Sequence, residues 1–257
     1  MKLNIGIQLY SLREYTAKDF FGTLEQVAEM GYNAVEFAGY GDIPACEMKK
    51  KLDSLGLSAP SSHLGIQAAA PDKIDATIDY LLTIGAKYYT FPSLPEEFRY
   101  GHPDFEANLE VLRAAIEKCN AAGLQVLYHN HSFEFEKVDG KIPLDVLYER
   151  LPAPLLQPQF DTCWVKFAGY DPVSYIQKYS GKTPVIHLKD FYSASPLDRE
   201  TLELRPLGYG IQDIKSIMEA GIASGCDTFI YEQDNGVGRT MLEAAKLTRE
   251  YLKSIGY

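Results

Sequence analysis

The sequence predicts an α/β fold: a single (β/α)8 barrel, or TIM barrel, that spans residues 1–257. Three observations support this prediction. Short runs rich in β-branched and aromatic residues alternate with longer helical patterns along the whole chain. Eight such runs in 257 residues give about 32 residues per unit, which suits one strand and one helix. No linker or low-complexity stretch divides the chain, so we expect one domain.

Each predicted strand is a short apolar run followed by a turn-forming residue. The predicted strands are residues 3–10, 33–38, 57–63, 88–91, 124–130, 157–165, 184–189 and 228–234. The clearest helical patterns between them are residues 20–30, 105–122, 211–223 and 241–255. The first of these helices is followed by Gly31, where a left-handed conformation costs little, and an apolar strand begins directly afterwards.

An open, doubly wound sheet is the alternative fold for this alternating pattern. That fold usually carries a glycine-rich phosphate loop after its first strand, and residues 8–13 contain no glycine. The barrel is therefore preferred. One connection, residues 191–210, is long, and loops of this length in compact domains are usually functional, often as part of a lid.

Composition and charge argue against several classes of protein. The chain has 25 Lys and Arg against 35 Asp and Glu, which gives a net charge of −10. We expect no nucleic-acid partner, because a duplex-binding surface needs a basic stripe. No apolar run reaches the roughly 18 residues of a membrane span, and the four cysteines form no CxxC pair. We therefore expect a cytoplasmic protein with reduced thiols and no membrane partner, although a chain trimmed of a leader would have the same features.

A carboxylate or an imidazole lies within, or a few residues beyond, each of four successive predicted strands. Side chains at the carboxyl ends of barrel strands converge on one face of the barrel. Three carboxylates brought together there repel one another unless a cation offsets their charge. Three oxygens and one imidazole nitrogen suit Mn²⁺, Mg²⁺ or Co²⁺, and these ions are favoured over Zn²⁺ because no thiolate is present. Taken singly, Asp161 and Glu232 could each cap a strand end, and His187 could be a core histidine. Taken together, the four residues predict a divalent-metal site formed by Glu134, Asp161, His187 and Glu232.

Other residues near strand ends are candidates for binding a substrate. They are His63, His131, Trp164 and Lys189. Trp164 is the sole tryptophan and can stack on the apolar face of a sugar. His63 is equally compatible with a structural role, and Lys189 with a salt bridge at the rim. His129 shares a face with His131 and could equally be a core residue.

Five stretches of the chain resemble the xylose-isomerase-like sugar isomerase/epimerase family. They are residues 6–13 (GIQLYSLR), 128–134 (YHNHSFE), 160–164 (FDTCW), 187–190 (HLKD) and 231–234 (YEQD). That family includes ketose 3-epimerases, inosose dehydratases and hydroxypyruvate isomerases, all metal-dependent barrels. The resemblance implies that Glu134, Asp161, His187 and Glu232 are metal ligands, and that the first and last glutamates also carry the proton. The first ligand is open between Glu134 and Glu136.

Such a site fits proton abstraction next to a carbonyl through a metal-stabilised enediolate. The leading expectation is a sugar isomerase or epimerase with Glu134 and Glu232 as catalytic residues. The alternative is a dehydratase or lyase that acts on a keto-cyclitol or a 3-keto-glycoside. An AP endonuclease like endonuclease IV is disfavoured by the five histidines and the negative charge, and a non-catalytic barrel by the complete ligand set. The expected partner is a small sugar, and a homo-oligomer is compatible with the fold.

Overall fold

The computed structural model describes residues 3–257. Its strands are β1 (Asn4–Gln8), β2 (Ala34–Glu36), β3 (Ser61–His63), β4 (Tyr88–Phe91), β5 (Gln125–His129), β6 (Leu156–Asp161), β7 (Val185–Leu188), β8 (Asp190–Tyr192), β9 (Glu203–Arg205) and β10 (Thr228–Tyr231). Eight of them form a parallel sheet in the order β2-β1-β10-β7-β6-β5-β4-β3. Isolated bridges between Ala34 and Ser58 and between Phe37 and Ser62 nearly close this sheet into a barrel, which confirms the predicted fold.

Helices surround the barrel. Within residues 3–257 they are α1 (Arg13–Thr16), α2 (Phe20–Met30), α3 (Ala45–Leu55), α4 (Ile74–Ile84), α5 (Phe105–Ala121), α6 (Pro143–Arg150), α7 (Thr162–Phe167), α8 (Pro172–Lys178), α9 (Ile214–Ala223) and α10 (Met241–Ser254). The four predicted helices correspond to α2, α5, α9 and α10, and Gly31 ends α2 with a φ of 92°. No helix in the described part of the chain is both long and apolar enough to cross a membrane.

The sixth strand is shorter than the sequence predicts. It ends at Asp161, and helix α7 begins at the next residue instead of the strand continuing to residue 165. Oδ1 of Asp161 accepts hydrogen bonds from the backbone amides of Cys163 at 2.9 Å and Trp164 at 3.3 Å, so this side chain caps the helix. The predicted extension is wrong because a short apolar run fits a buried helix as well as a strand.

The register of the strands places a row of polar side chains inside the barrel. Paired residues of neighbouring parallel strands point to the same side of the sheet. His129 of β5 pairs with Gln159 of β6, and Asp161 pairs with His187 of β7. Two residues before His129, Leu127 packs in a small apolar cluster with Val185 and Ile230. The polar residues therefore lie towards the carboxyl ends of the strands, beyond an apolar layer.

The long connection after β7 contains the antiparallel hairpin of β8 and β9. The buried Asp190 carboxylate organises this segment, because it accepts hydrogen bonds from the backbone amides of Phe191, Gly208, Gly210 and Gln212. The role of this connection as a lid stays a prediction.

Candidate active site

Four buried side chains meet at the carboxyl ends of four barrel strands. One ligand atom from each lies within 4.8 Å of the others, and the residues are His129, Asp161, His187 and Glu232. The structure thus brings together three of the four residues that the sequence predicts as metal ligands. We call His129, Asp161, His187 and Glu232 the metal group. In this group His129 takes the place for which the sequence predicts Glu134.

Glu134 lies away from the metal group, on the outer side of β5. Its Oε1 accepts a hydrogen bond from Tyr128 Oη at 2.6 Å, and its Oε2 accepts one from the backbone amide of His131 at 2.8 Å. Tyr128 precedes His129 in the strand, so the two side chains point to opposite faces of the sheet. Glu136, the alternative first ligand, is exposed. The structure therefore brings neither glutamate to the metal group.

Glu134 lies away from the metal group because strand β5 ends before it. Glu134 belongs to a short 3₁₀ helix, Phe133–Phe135, several residues beyond the last strand residue. The alternation of side chains between two faces holds only within a strand, so it says nothing about a residue in this turn. His129 is the last residue of β5 in the structure, whereas the strand predicted from the sequence ends at Asn130, so the rule that strand ends carry the chemistry does not select His129 from the sequence alone.

Lys189 places a positive charge beside two carboxylates of the metal group. Its Nζ lies 3.1 Å from Asp161 Oδ2, 3.1 Å from Glu232 Oε2 and 3.2 Å from Asp234 Oδ1. Burial alone would raise the pKa of Glu232, but the charge of Lys189 and the contact with His187 hold it well below its ordinary value. The salt-bridge interpretation of Lys189 is therefore confirmed, although the lysine is buried and not at an exposed rim.

The histidines of the site differ in charge. Burial lowers the pKa of His129 well below its ordinary value and that of His131 to about 3, so both rings are neutral near pH 7. Burial alone would lower the pKa of His187 as well, but the carboxylates of Glu36 and Glu232 raise it to about 10. A neutral imidazole keeps a nitrogen lone pair for a cation, whereas His187 must lose a proton to bind one.

The metal group fits a divalent metal ion. It offers two imidazole nitrogens and two carboxylate oxygens, all buried. Asp161 Oδ1 is used by the helix cap, whereas the close neighbour of its buried Oδ2 is the Lys189 ammonium group at 3.1 Å. An imidazole thus stands in this group where the sequence predicts a glutamate.

A cavity of about 410 Å³ adjoins the metal group, and we call it the inner cavity. Its polar lining includes Tyr10, His63, His129, His131, Lys189, Glu232 and Asp234. Three of the four predicted substrate-binding residues thus line it. Trp164 does not. Its ring lies 5.8 Å from the His131 ring and 5.2 Å from Lys189 Nζ, so it packs behind these two side chains.

Comparison with known proteins identifies relatives over almost the whole chain. The model of the xylose isomerase-like TIM barrel family matches residues 24–255. An inosose dehydratase from Geobacillus kaustophilus (strain HTA426) is 25% identical, and the match covers 89% of this chain and 85% of that protein.

Two solved structures share the fold. A sugar phosphate isomerase/epimerase from Parabacteroides distasonis ATCC 8503 superposes with a TM-score of 0.81 at 24% identity and covers 98% of each chain. An L-ribulose 3-epimerase superposes with a TM-score of 0.73 at 17% identity, covering 99% of this chain and 94% of that chain. At these identities the superpositions establish the architecture.

Proposed function

The chain belongs to the xylose isomerase-like TIM barrel family, and from this premise we propose that it is a divalent-metal-dependent sugar isomerase. It removes a proton from the hydroxyl-bearing carbon next to the carbonyl of an unphosphorylated sugar and returns that proton to the carbonyl carbon. The hydroxyl proton of the first carbon moves to the former carbonyl oxygen, so that carbonyl and hydroxyl change places. One observation carries the proposal: among residues 3–257, Glu232 is the only glutamate that both belongs to the metal group and lines the inner cavity.

His129, Asp161, His187 and Glu232 would hold the metal ion. When bound there, the ion supplies positive charge that holds a substrate carbonyl and offsets the negative charge that grows on its oxygen. The two imidazoles of the set favour Mn²⁺, Co²⁺ or Zn²⁺.

Glu232 moves the proton in this proposal. Its contacts with His187 and Lys189 use Oε2, whereas Oε1 accepts no hydrogen bond from the described residues. The lowered pKa keeps the carboxylate ionised at neutral pH, which is the form that a general base requires. One carboxylate is enough for transfer between two adjacent carbons on the same face of an enediolate. Because Glu134 lies outside the barrel, this geometry does not support the epimerisation by two glutamates that the sequence suggests.

The charges of the inner cavity favour a neutral sugar. Lys189 is the only lysine or arginine that lines it within residues 3–257, and three carboxylates already surround its ammonium group. Burial lowers the pKa of His63, His129 and His131, so these rings add no positive charge near pH 7. A phosphate dianion would meet Glu232 and Asp234 without an unpaired cation to balance it.

A dehydratase is the second candidate, and the position of Lys189 favours it. After Glu232 has taken a proton, loss of a hydroxyl group from the adjacent carbon needs a proton donor. The Lys189 ammonium lies 3.1 Å from Glu232 Oε2 and lines the same cavity, so it could give that proton. A carbon–carbon double bond then forms and water leaves. A keto-cyclitol or a 3-keto-glycoside would suit this outcome.

Incubation of the Mn²⁺-loaded protein in D₂O with aldoses, ketoses, their phosphates and keto-cyclitols tests both candidates. Isomerisation predicts aldose–ketose interconversion, with deuterium at one carbon in NMR spectra of the unphosphorylated sugars. Dehydration predicts an unsaturated ketone that absorbs in the ultraviolet. The Glu232→Gln variant should lose either activity. Proton exchange that persists in this variant, or a preference for phosphorylated sugars, contradicts the proposal.

A further inference from the structure

Glu36 lies at the end of β2, fully buried inside the barrel and outside the metal group. Four side chains donate hydrogen bonds to its carboxylate. They are His187 Nε2 at 2.5 Å and Gln8 Nε2 at 2.8 Å, both to Oε2, and Gln159 Nε2 at 2.6 Å and Ser61 Oγ, both to Oε1. Both oxygens are therefore occupied by donors of the protein, and the carboxylate is not itself a candidate ligand.

His187 connects Glu36 to the metal group. Its Nε2 faces Glu36, and its Nδ1 lies 3.0 Å from Glu232 Oε2. An imidazole that donates its Nε2 proton to a carboxylate can keep the lone pair of Nδ1 for a cation. A carboxylate behind a metal-binding histidine also orients the ring and increases the basicity of the nitrogen that binds.

The same oxygen of Glu36 also lies beside a histidine of the inner cavity. His63 Nε2 is 3.1 Å from Glu36 Oε2 and 2.7 Å from Gln159 Oε1. The rings of His63 and His187 are stacked, with centroids 5.0 Å apart and an angle of 10° between their planes. One carboxylate thus contacts a histidine of the metal group and a histidine that lines the cavity.

We propose that Glu36 is a positioning residue that holds His187 with its Nε2 proton towards β2 and its Nδ1 towards the metal. The stacked His63 ring is held parallel by the same carboxylate and by Gln159. This inference rests on the proposed metal-binding role of His187, but it requires no assumption about the sugar or the reaction.

The Glu36→Gln variant tests this role through metal affinity. A glutamine keeps the size of the side chain, but it has one acceptor oxygen where Glu36 uses two, and it carries no charge. We expect the Kd for Mn²⁺, measured by calorimetry, to rise by about 10- to 100-fold. Glu134→Gln is the matched control, because Glu134 is also a buried glutamate but is hydrogen-bonded to Tyr128 and His131. Its Kd should stay that of the unmodified protein.

If Glu36→Gln fails to fold, a measurement on the unmodified protein tests the orientation of the His187 ring instead. In the Zn²⁺-loaded protein, ¹⁵N NMR of the histidine side chains should show His187 bound through Nδ1 with a proton on Nε2. The His187→Gln variant assigns this signal. Coordination through Nε2, or equal Mn²⁺ affinity of Glu36→Gln and the unmodified protein, overturns the role of Glu36 alone. If the unmodified protein binds neither ion, the proposed metal dependence fails and this inference fails with it.

Discussion

Glu134 and Glu232 are both buried glutamates near the carboxyl ends of barrel strands, yet their surroundings act on their charge in opposite directions. Glu232 lies inside the barrel, where Lys189 and His187 outweigh the effect of burial and hold its pKa well below the ordinary value. Glu134 lies outside the barrel wall, where burial raises its pKa to about 7 despite hydrogen bonds from Tyr128 and His131. The pKa values of the two glutamates therefore differ because of the cations near Glu232, and not because of burial, which both side chains share.

The cavities beside these two glutamates also differ, both in volume and in the side chains that line them. Glu134 lines an outer cavity of about 580 Å³, whose walls include the rings of Phe98, Tyr100, Phe105 and Tyr128. The inner cavity beside Glu232 is smaller, at about 410 Å³, but three histidines and Lys189 line it. Size and a buried acid therefore do not by themselves identify a site that can hold a cation. The convergence of donors able to hold a cation distinguishes the inner one.

The largest expected effect is on proton exchange. Glu232→Gln keeps an oxygen in the metal group but removes the basic site, so exchange of the substrate proton should fall by about 10²- to 10⁴-fold. Glu134→Gln should leave the exchange rate close to that of the unmodified protein. Deuterium incorporation followed by NMR measures both rates. A large loss in Glu134→Gln with activity retained in Glu232→Gln would reverse the comparison.

A smaller effect is expected on metal binding. His129→Ala and Asp161→Ala each remove a donor of the metal group. Residues that only hydrogen-bond to a metal ligand contribute about 10- to 100-fold to metal affinity. Loss of a donor itself should therefore lower the Mn²⁺ affinity by about tenfold or more. Glu134→Ala should bind the metal as the unmodified protein does. Elemental analysis after dialysis measures the retained metal. Full occupancy in His129→Ala with loss in Glu134→Ala would return Glu134 to the ligand set.

The smallest effect is on the pH dependence of stability. Because the pKa of Glu134 rises from 4.5 to about 7 on folding, the folded protein binds more protons than the unfolded chain between these values. Its contribution to stability is therefore present below pH 4.5 and is lost as the pH rises through 7. Between pH 5.5 and 8.5 the unmodified protein should lose about 2 kcal/mol more unfolding free energy than Glu134→Gln. Urea denaturation of both proteins measures this difference, and parallel pH profiles would contradict it.

Much of the site followed from the sequence because its residues lie within or directly after strands. Asp161, His187 and Glu232 were predicted from their places at strand ends, and the structure brings them together. Asp161 also caps helix α7, whereas the sequence suggests only a cap at a strand end, because the apolar run after Asp161 is interpreted as strand. Glu134 lies outside the metal group since it follows the strand by several residues, where the direction of a side chain depends on the turn.

The sequence by itself determined the barrel class, the approximate positions of its strands and the convergence of strand-end side chains on one face. These follow from hydrophobic periodicity, which is a local property of the chain. Only the tertiary structure separated Glu134 from Glu232 and brought Lys189 between Asp161 and Glu232. It alone joined Glu36 to His187, which are 151 positions apart. Such contacts depend on the register between strands and on closure of the barrel, and no local pattern in the sequence encodes that geometry.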